Sequence, residues 1–192
     1  MQHDEADISL ISYMLHAASA GAEIVRILSD DTDVFVLLVY WCWKRRVSCR
    51  VQMEKWDGSV LDINATVSQN GDKCQGMLGM HALSGCDSVS YPNGKGKVSA
   101  LKVLNQTNIP GLDSVLGEKD ATFHELMTTG TAFFLSLYSQ KNSKSMNAAR
   151  YEIYRKRKNP LSLTSLPPTD TNLACHIRRA HLQMMLWKAA EG

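Results

Sequence analysis

Glu23-Ile24-Val25-Arg26-Ile27-Leu28-Ser29-Asp30-Asp31-Thr32-Asp33, followed by the apolar run Val34 to Trp41, is the stretch whose reading decides the fold. Glu23 to Leu28 is short and β-branched, which predicts a buried parallel strand. The run after the acidic loop is apolar on all sides, so periodicity leaves buried strand and buried helix both open. A strand, an acidic loop and a return element together predict an α/β sheet, whose ligand sites lie beyond the carboxyl ends of its strands.

On the N-terminal side, Ile8, Ile11, Leu15 and Ala18 recur at helical spacing, predicting a helix from about Glu5 to Ala20 that stops at Gly21. Asp4, Glu5 and Asp7 fall in its first turn, where carboxylates favour the helix dipole. On the C-terminal side, Lys44-Arg45-Arg46 is a basic connection. Val47 to Met53 alternates as a half-exposed strand, Trp56 to Ser59 is a turn, and Leu61 to Val67 reads as a short helix. Asn70-Gly71-Asp72 interrupts, and Lys73 to Leu83 reads as a further helix.

That helix leads into Leu83-Ser84-Gly85-Cys86-Asp87, a polar loop, Gly94-Lys95-Gly96-Lys97 and the apolar run Ala100 to Leu104. Glycine lets backbone approach a phosphate, and a helix N-terminus offers unpaired N–H groups to an anion. The same residues also suit an ordinary exposed turn. Beyond lie a loop from Asn105 to Gly111, helical stretches at Phe123–Leu126 and Thr131–Tyr138, and a polar loop at Lys141–Lys144. A basic helix from Ala148 to Lys158, an extended linker from Ser162 to Thr171 and an amphipathic helix from Asn172 to Ala190 complete the chain.

With 192 residues, 44% hydrophobic and 21% charged, the chain can build a sizeable core. Its formal charge of +2 identifies no partner, but the charge is unevenly placed: acidic early, basic at Arg150 and Arg155 to Lys158. Five cysteines without a C-x-x-C pair argue against a disulfide scaffold or structural zinc and for a reducing compartment. No apolar run reaches the ~18 residues of a membrane span. The chain is therefore expected inside the cell, in the nucleus, with no membrane partner. Trp41, Trp43, Trp56 and Trp187 read as packing anchors.

Glu5, Asp7, Asp31, Asp33 and Asp87 all sit where the chain turns, and a parallel α/β sheet could bring them to one edge. Gathered carboxylates repel unless cations neutralise them, which suits Mg²⁺ or Mn²⁺. Two such ions at ~3.5–4 Å can activate water and steady the leaving oxygen in phosphodiester cleavage. Surface carboxylates are common, so spacing alone leaves this open. A phosphatase-type nucleophile in Asp31-Thr32-Asp33 lacks a placeable supporting lysine.

Glu5-Ala6-Asp7 at a helix start, Asp31-Thr32-Asp33 after a strand, and Gly85-Cys86-Asp87 followed by Gly94-x-Gly96 resemble the second half of the flap-endonuclease (structure-specific 5′-nuclease) branch of the PIN-like nucleases. The resemblance covers about residues 3 to 104. His3 to Asp7 and the tail from Leu166-Pro167-Pro168 to Trp187 are also similar to uncharacterised animal proteins linked to mobile elements. The resemblance implies a PIN-like parallel sheet flanked by helices, partial because its N-terminal half is missing, then a helix–two-turn–helix-like unit and a helical tail. It divides the chain at 1–105, 106–160 and 161–192.

The same resemblance implies that Glu5, Asp7, Asp31, Asp33 and Asp87 are catalytic metal ligands for Mg²⁺ or Mn²⁺. It implies that Gly94, Lys95, Gly96 and Lys97 grip a DNA or RNA backbone, with K⁺ on backbone carbonyls of that loop. Asp7 stands where the family has a glutamate, and the loop between Asp87 and Gly94 departs from the family's wording. Without the family's earlier aspartates, a nuclease fragment or remnant with little or no cleavage of its own is expected. An open sheet edge would then receive the missing half or another chain. The alternative is a catalytically silent nucleic-acid-binding or interaction module, favoured by the basic helix.

Overall fold

A computed structural model describes residues 6–156 and 163–191. Their elements are α1 (Ala6–Ser19), β1 (Ile24–Leu28), α2 (Thr32–Arg45), β2 (Arg50–Glu54), β3 (Val60–Asp62), α3 (Ile63–Asn70), α4 (Cys74–Leu83), α5 (Lys97–Gln106), α6 (Phe123–Leu137), α7 (Met146–Lys156) and α8 (Asp170–Lys188). Two compact units result, one of residues 1–78 with 186–192 and the other of residues 79–185. The divisions at residues 105 and 160 follow motifs, whereas this one follows packing.

In the first unit the sheet order is β1-β2-β3, with β1 and β2 parallel and β2 and β3 antiparallel. The all-parallel sheet is thus corrected to a mixed one, and local chemistry explains why. Gly58 at φ 81° closes a tight turn in which the Gly58 N–H donates to the Lys55 carbonyl and the Lys55 N–H to the Ser59 carbonyl. So short a link joins only antiparallel strands. Leu61 therefore belongs to β3, and the helix expected from it begins at Ile63, behind Asp62, whose carboxylate accepts from the Ala65 N–H.

The run Val34–Trp41 is resolved as helix. Asp31 caps it, and Val34 and Val36 to Cys42 are all buried. β1, read as buried, is instead an edge strand in which only Ile27 is buried and Ile24 and Leu28 are 56% and 54% exposed. Val25 and Ile27 make its one covered face, and the β-branched Ile24 lies on the exposed one. Val51 and Met53 of β2 share that face, while Arg26 and Arg50 stand on the other, ion-paired to Glu54 and Asp62. β3 stops short of the start of β2, and Asn64 takes its place: its Oδ1 accepts from the Val51 N–H and its Nδ2 donates to the Cys49 carbonyl.

In the second unit, α4 and α5 are joined by two turns, one closed by reciprocal Cys86–Val89 backbone bonds and one by Lys95 N–H to Pro92 O. The two helical stretches expected after Phe123 form one helix through Gly130. A Cβ at Gly130 would come within 2.5 Å of Ile177 Cγ1, so the missing side chain admits α8. Thr122 and Glu125 make a reciprocal capping box at the start of α6. The expected linker contains a 3₁₀ turn at Leu163–Ser165 and a buried Leu166; Arg157 and Lys158 of the basic segment lie outside the described residues. Trp41 and Trp187 are core residues, but Trp56 is exposed on the hairpin turn.

Candidate nucleic-acid interface

Asp7 lies in the first turn of α1, while Asp31 and Asp33 bracket the start of α2, all in the first unit. Asp87 is exposed in the α4–α5 loop of the second, and Glu5 lies outside the described residues. Asp31 Oδ1 accepts from the Asp33 N–H at 2.8 Å, so one of its oxygens serves as a helix cap. Among the described residues, no three His, Cys, Asp or Glu side chains gather closely enough to hold a metal ion. The carboxylates described do not fit an ion site by themselves, and no step through Mg²⁺ or Mn²⁺ is drawn from them.

The glycine-lysine loop is more informative. Gly85 at φ 100° and Gly94 at φ 69° adopt left-handed backbone; a Cβ on Gly85 would also lie 2.6 Å from Tyr91 Cδ1. Gly96 has ordinary extended backbone at the N-cap of α5 and makes no side-chain cap. Lys97 turns inward. Its ammonium donates to the His81 carbonyl at 2.8 Å, the Ser84 hydroxyl at 3.0 Å and the Gly85 carbonyl. Three N–H donors thus meet three oxygens at the end of α4, where carbonyls outnumber donors. These carbonyls already face an ammonium, at the loop for which the resemblance implies K⁺. Lys97→Met keeps the stem and removes the charge, so its stability should fall by roughly 1–3 kcal/mol. An unchanged urea midpoint would show that the ammonium contributes nothing.

His176 packs edge-on to Phe134 and places Nε2 2.9 Å from the Leu83 carbonyl. A carbonyl only accepts, so Nε2 carries the proton and Nδ1, 3.3 Å away, accepts from Ser90 Oγ. Burial pushes its pKa below the ordinary histidine value, opposed by the Leu83 bond and assisted by Arg179. With the folded pKa depressed, the unfolded chain takes up the proton first. Stability is full above the ordinary value of about 6.5 and falls as pH drops below it. His176→Gln, neutral throughout, should flatten the acid side of a midpoint-against-pH curve. An unaltered curve would assign that slope to other groups.

Lys95 remains beside this knot, its ammonium 5.3 Å from the Tyr138 ring centre. It lines a concavity of about 600 Å³ together with Ser99, Lys102 and Gln106 of α5, and with Lys141 and Asn142 beyond α6. Three lysines line this groove and no carboxylate does. Lys141 Nζ donates to Thr107 Oγ1 at 2.7 Å, which fixes its direction. Lys102 and Lys141 were not singled out from sequence. The polar stripe Lys95, Ser99, Lys102, Gln106 at helical spacing was the available signal, and nothing local linked it to Lys141.

Comparison of the chain with family models, curated proteins and solved structures gave no match. The functional reading therefore rests on geometry. α7, the basic helix of the alternative reading, directs its cations locally: Arg155 and Lys156 both pair with Glu152, and Arg150 donates to the Pro167 carbonyl. All five cysteines are free thiols; burial, with Cys49 nearby, pushes Cys42 up to about 12, which makes it inert. No described helix is long and apolar enough to cross a membrane.

Proposed function

We propose that this chain is a nucleic-acid-binding module of flap-endonuclease lineage that grips the phosphodiester backbone without cleaving it alone. The observation that carries this reading is the groove of Lys95, Lys102 and Lys141, free of lining carboxylates. Lysines there release counterions when phosphates enter, and the hydroxyl and amide groups of Ser99, Gln106 and Asn142 can add hydrogen bonds to phosphate oxygens. Recognition of this kind follows the backbone, so DNA and RNA are both ligands. In the same lineage reading, the open edge of β1 is where a further strand would add.

Fluorescence anisotropy of labelled single- and double-stranded oligonucleotides across a salt series tests the reading. Three neutralised phosphates predict a slope of log affinity against log salt of roughly −2 to −3. Absence of binding, or binding indifferent to salt, would remove it. The metal centre that cleavage would need is tested separately by Mn²⁺ titration calorimetry. The Asp31→Asn/Asp33→Asn variant keeps a good N-cap at residue 31, and its heats should equal those of the parent chain. A saturable heat lost in the variant would restore the metal centre.

A further inference from the structure

On the basis of the backbone grip proposed above, we infer that α7 carries a base-stacking platform, Tyr151 with Tyr154, and that single-stranded nucleic acid is the ligand it favours. α7 is amphipathic. Met146 and Ala149 are buried and Ile153 is half-buried, so its covered stripe runs i, i+3, i+7. Tyr151 and Tyr154 stand on the opposite face and are 62% and 59% exposed. Among the described residues neither ring has a hydrogen-bond or ring partner. Packing therefore gives no reason for them. Nor does helix formation, since tyrosine is a poorer helix former than alanine, lysine or glutamate. Residues three apart on a helix lie about 5–6 Å apart at Cβ, so the two rings form a single surface. Nucleobases stack on such rings, and because every base has a π-face the contact tolerates any sequence.

Charge favours a polyanion as the occupant of this face. The second unit holds thirteen Lys and Arg against seven Asp and Glu, whereas the first holds eight against twelve. On α7 itself, Glu152 Oε2 is shared by Arg155 Nη2 at 3.2 Å and Lys156 Nζ at 3.7 Å, so one carboxylate meets two cations and positive charge is left over. Both pairs lie at the surface, where an ion pair is worth little and a phosphate can displace it. The alternative is that these cations offset the dipole in the last turn of α7. It accounts for Arg155 and Lys156 and leaves the two tyrosines unexplained. The platform also follows the lysine groove along the chain: Asn142 lines the groove, and Ser145 Oγ accepts from the Ala148 N–H at the start of α7.

An abasic strand separates stacking from backbone binding, because it keeps the phosphates and lacks the bases. In fluorescence anisotropy, wild-type protein should bind oligothymidylate roughly tenfold or more tightly than an abasic strand of the same length. Tyr151→Ala/Tyr154→Ala should lose that preference, keep the salt slope, and unfold in urea at the wild-type midpoint or above it. Tyr151→Phe/Tyr154→Phe keeps the rings and should keep the preference. A blunt duplex, whose bases already stack on one another, should bind wild type and the alanine variant alike. Equal affinity of wild type for the two single strands would overturn the inference while leaving the lysine groove standing. A preference that survives in the alanine variant would overturn it too. So would self-association of wild type that the alanine variant loses with oligonucleotide binding unchanged, which would assign the rings to the acidic first unit of a second copy. The expected preference, with affinity unchanged in Lys95→Glu/Lys102→Glu/Lys141→Glu protein, would support the platform and remove the groove.

Discussion

Gly79→Ala is expected to destabilise the protein by about 3 kcal/mol or more, although alanine is the better helix former. Gly79 lies inside α4, where the exchange alone would add about 1 kcal/mol of stability. Here the new Cβ would lie well inside van der Waals distance of the Leu112 carbonyl oxygen and 2.9 Å from its carbonyl carbon. The obstacle is backbone, and it is held. Gly111 takes φ 87°, its carbonyl accepts from the Val115 and Leu116 N–H groups, and Thr129 Oγ1 donates to the Pro110 carbonyl. The loop therefore cannot withdraw without breaking those bonds. Gly130→Ala is the informative comparison, because its clash is with the side chain of Ile177, which can rotate. Urea denaturation should place Gly79→Ala well below Gly130→Ala, and the reverse order would refute the backbone argument.

The second large effect concerns binding. Replacing Lys95, Lys102 and Lys141 together by glutamate should weaken oligonucleotide affinity by roughly a hundredfold or more and bring the salt slope close to zero. Each single change should lower the slope magnitude by about one and act equally on all sequences, since a backbone contact carries no base information. Folding should survive, because Lys102 and Lys141 are exposed and Lys95, half-buried, lines the open groove. Lys97 is excluded from this set deliberately. Its ammonium is held by His81, Ser84 and Gly85, so its loss would confound binding with stability. Unchanged affinity in a folded triple variant would end the groove reading.

Much of the helical framework was legible because its signals are local. Asp31 and Asp62 cap the helices that follow them through bonds spanning two or three residues. Gly58, Gly71, Gly85 and Gly94 punctuate the chain through their own left-handed backbone. The sheet was less legible. β-branched content reports that a strand has a covered face but not whether it has a neighbour on each side, so β1 read as buried while its outer edge pairs with no described strand. The stretch 34–41 left helix and strand open because an element buried all round loses its periodicity.

Sequence by itself determined where the helices cap, where the chain turns and that an apolar segment follows an acidic loop, since each depends on neighbours within a few residues. Only tertiary structure decided what the charges do. It turned Lys97 inward onto two carbonyls and a hydroxyl twelve to sixteen residues earlier in the chain, and brought Lys141 to Lys102 and Lys95. A charged side chain carries the same sequence signature whether it is a ligand, a cap or an internal tether. What distinguishes these roles is which oxygen or ammonium lies within about 3 Å, and that is fixed by packing between distant segments.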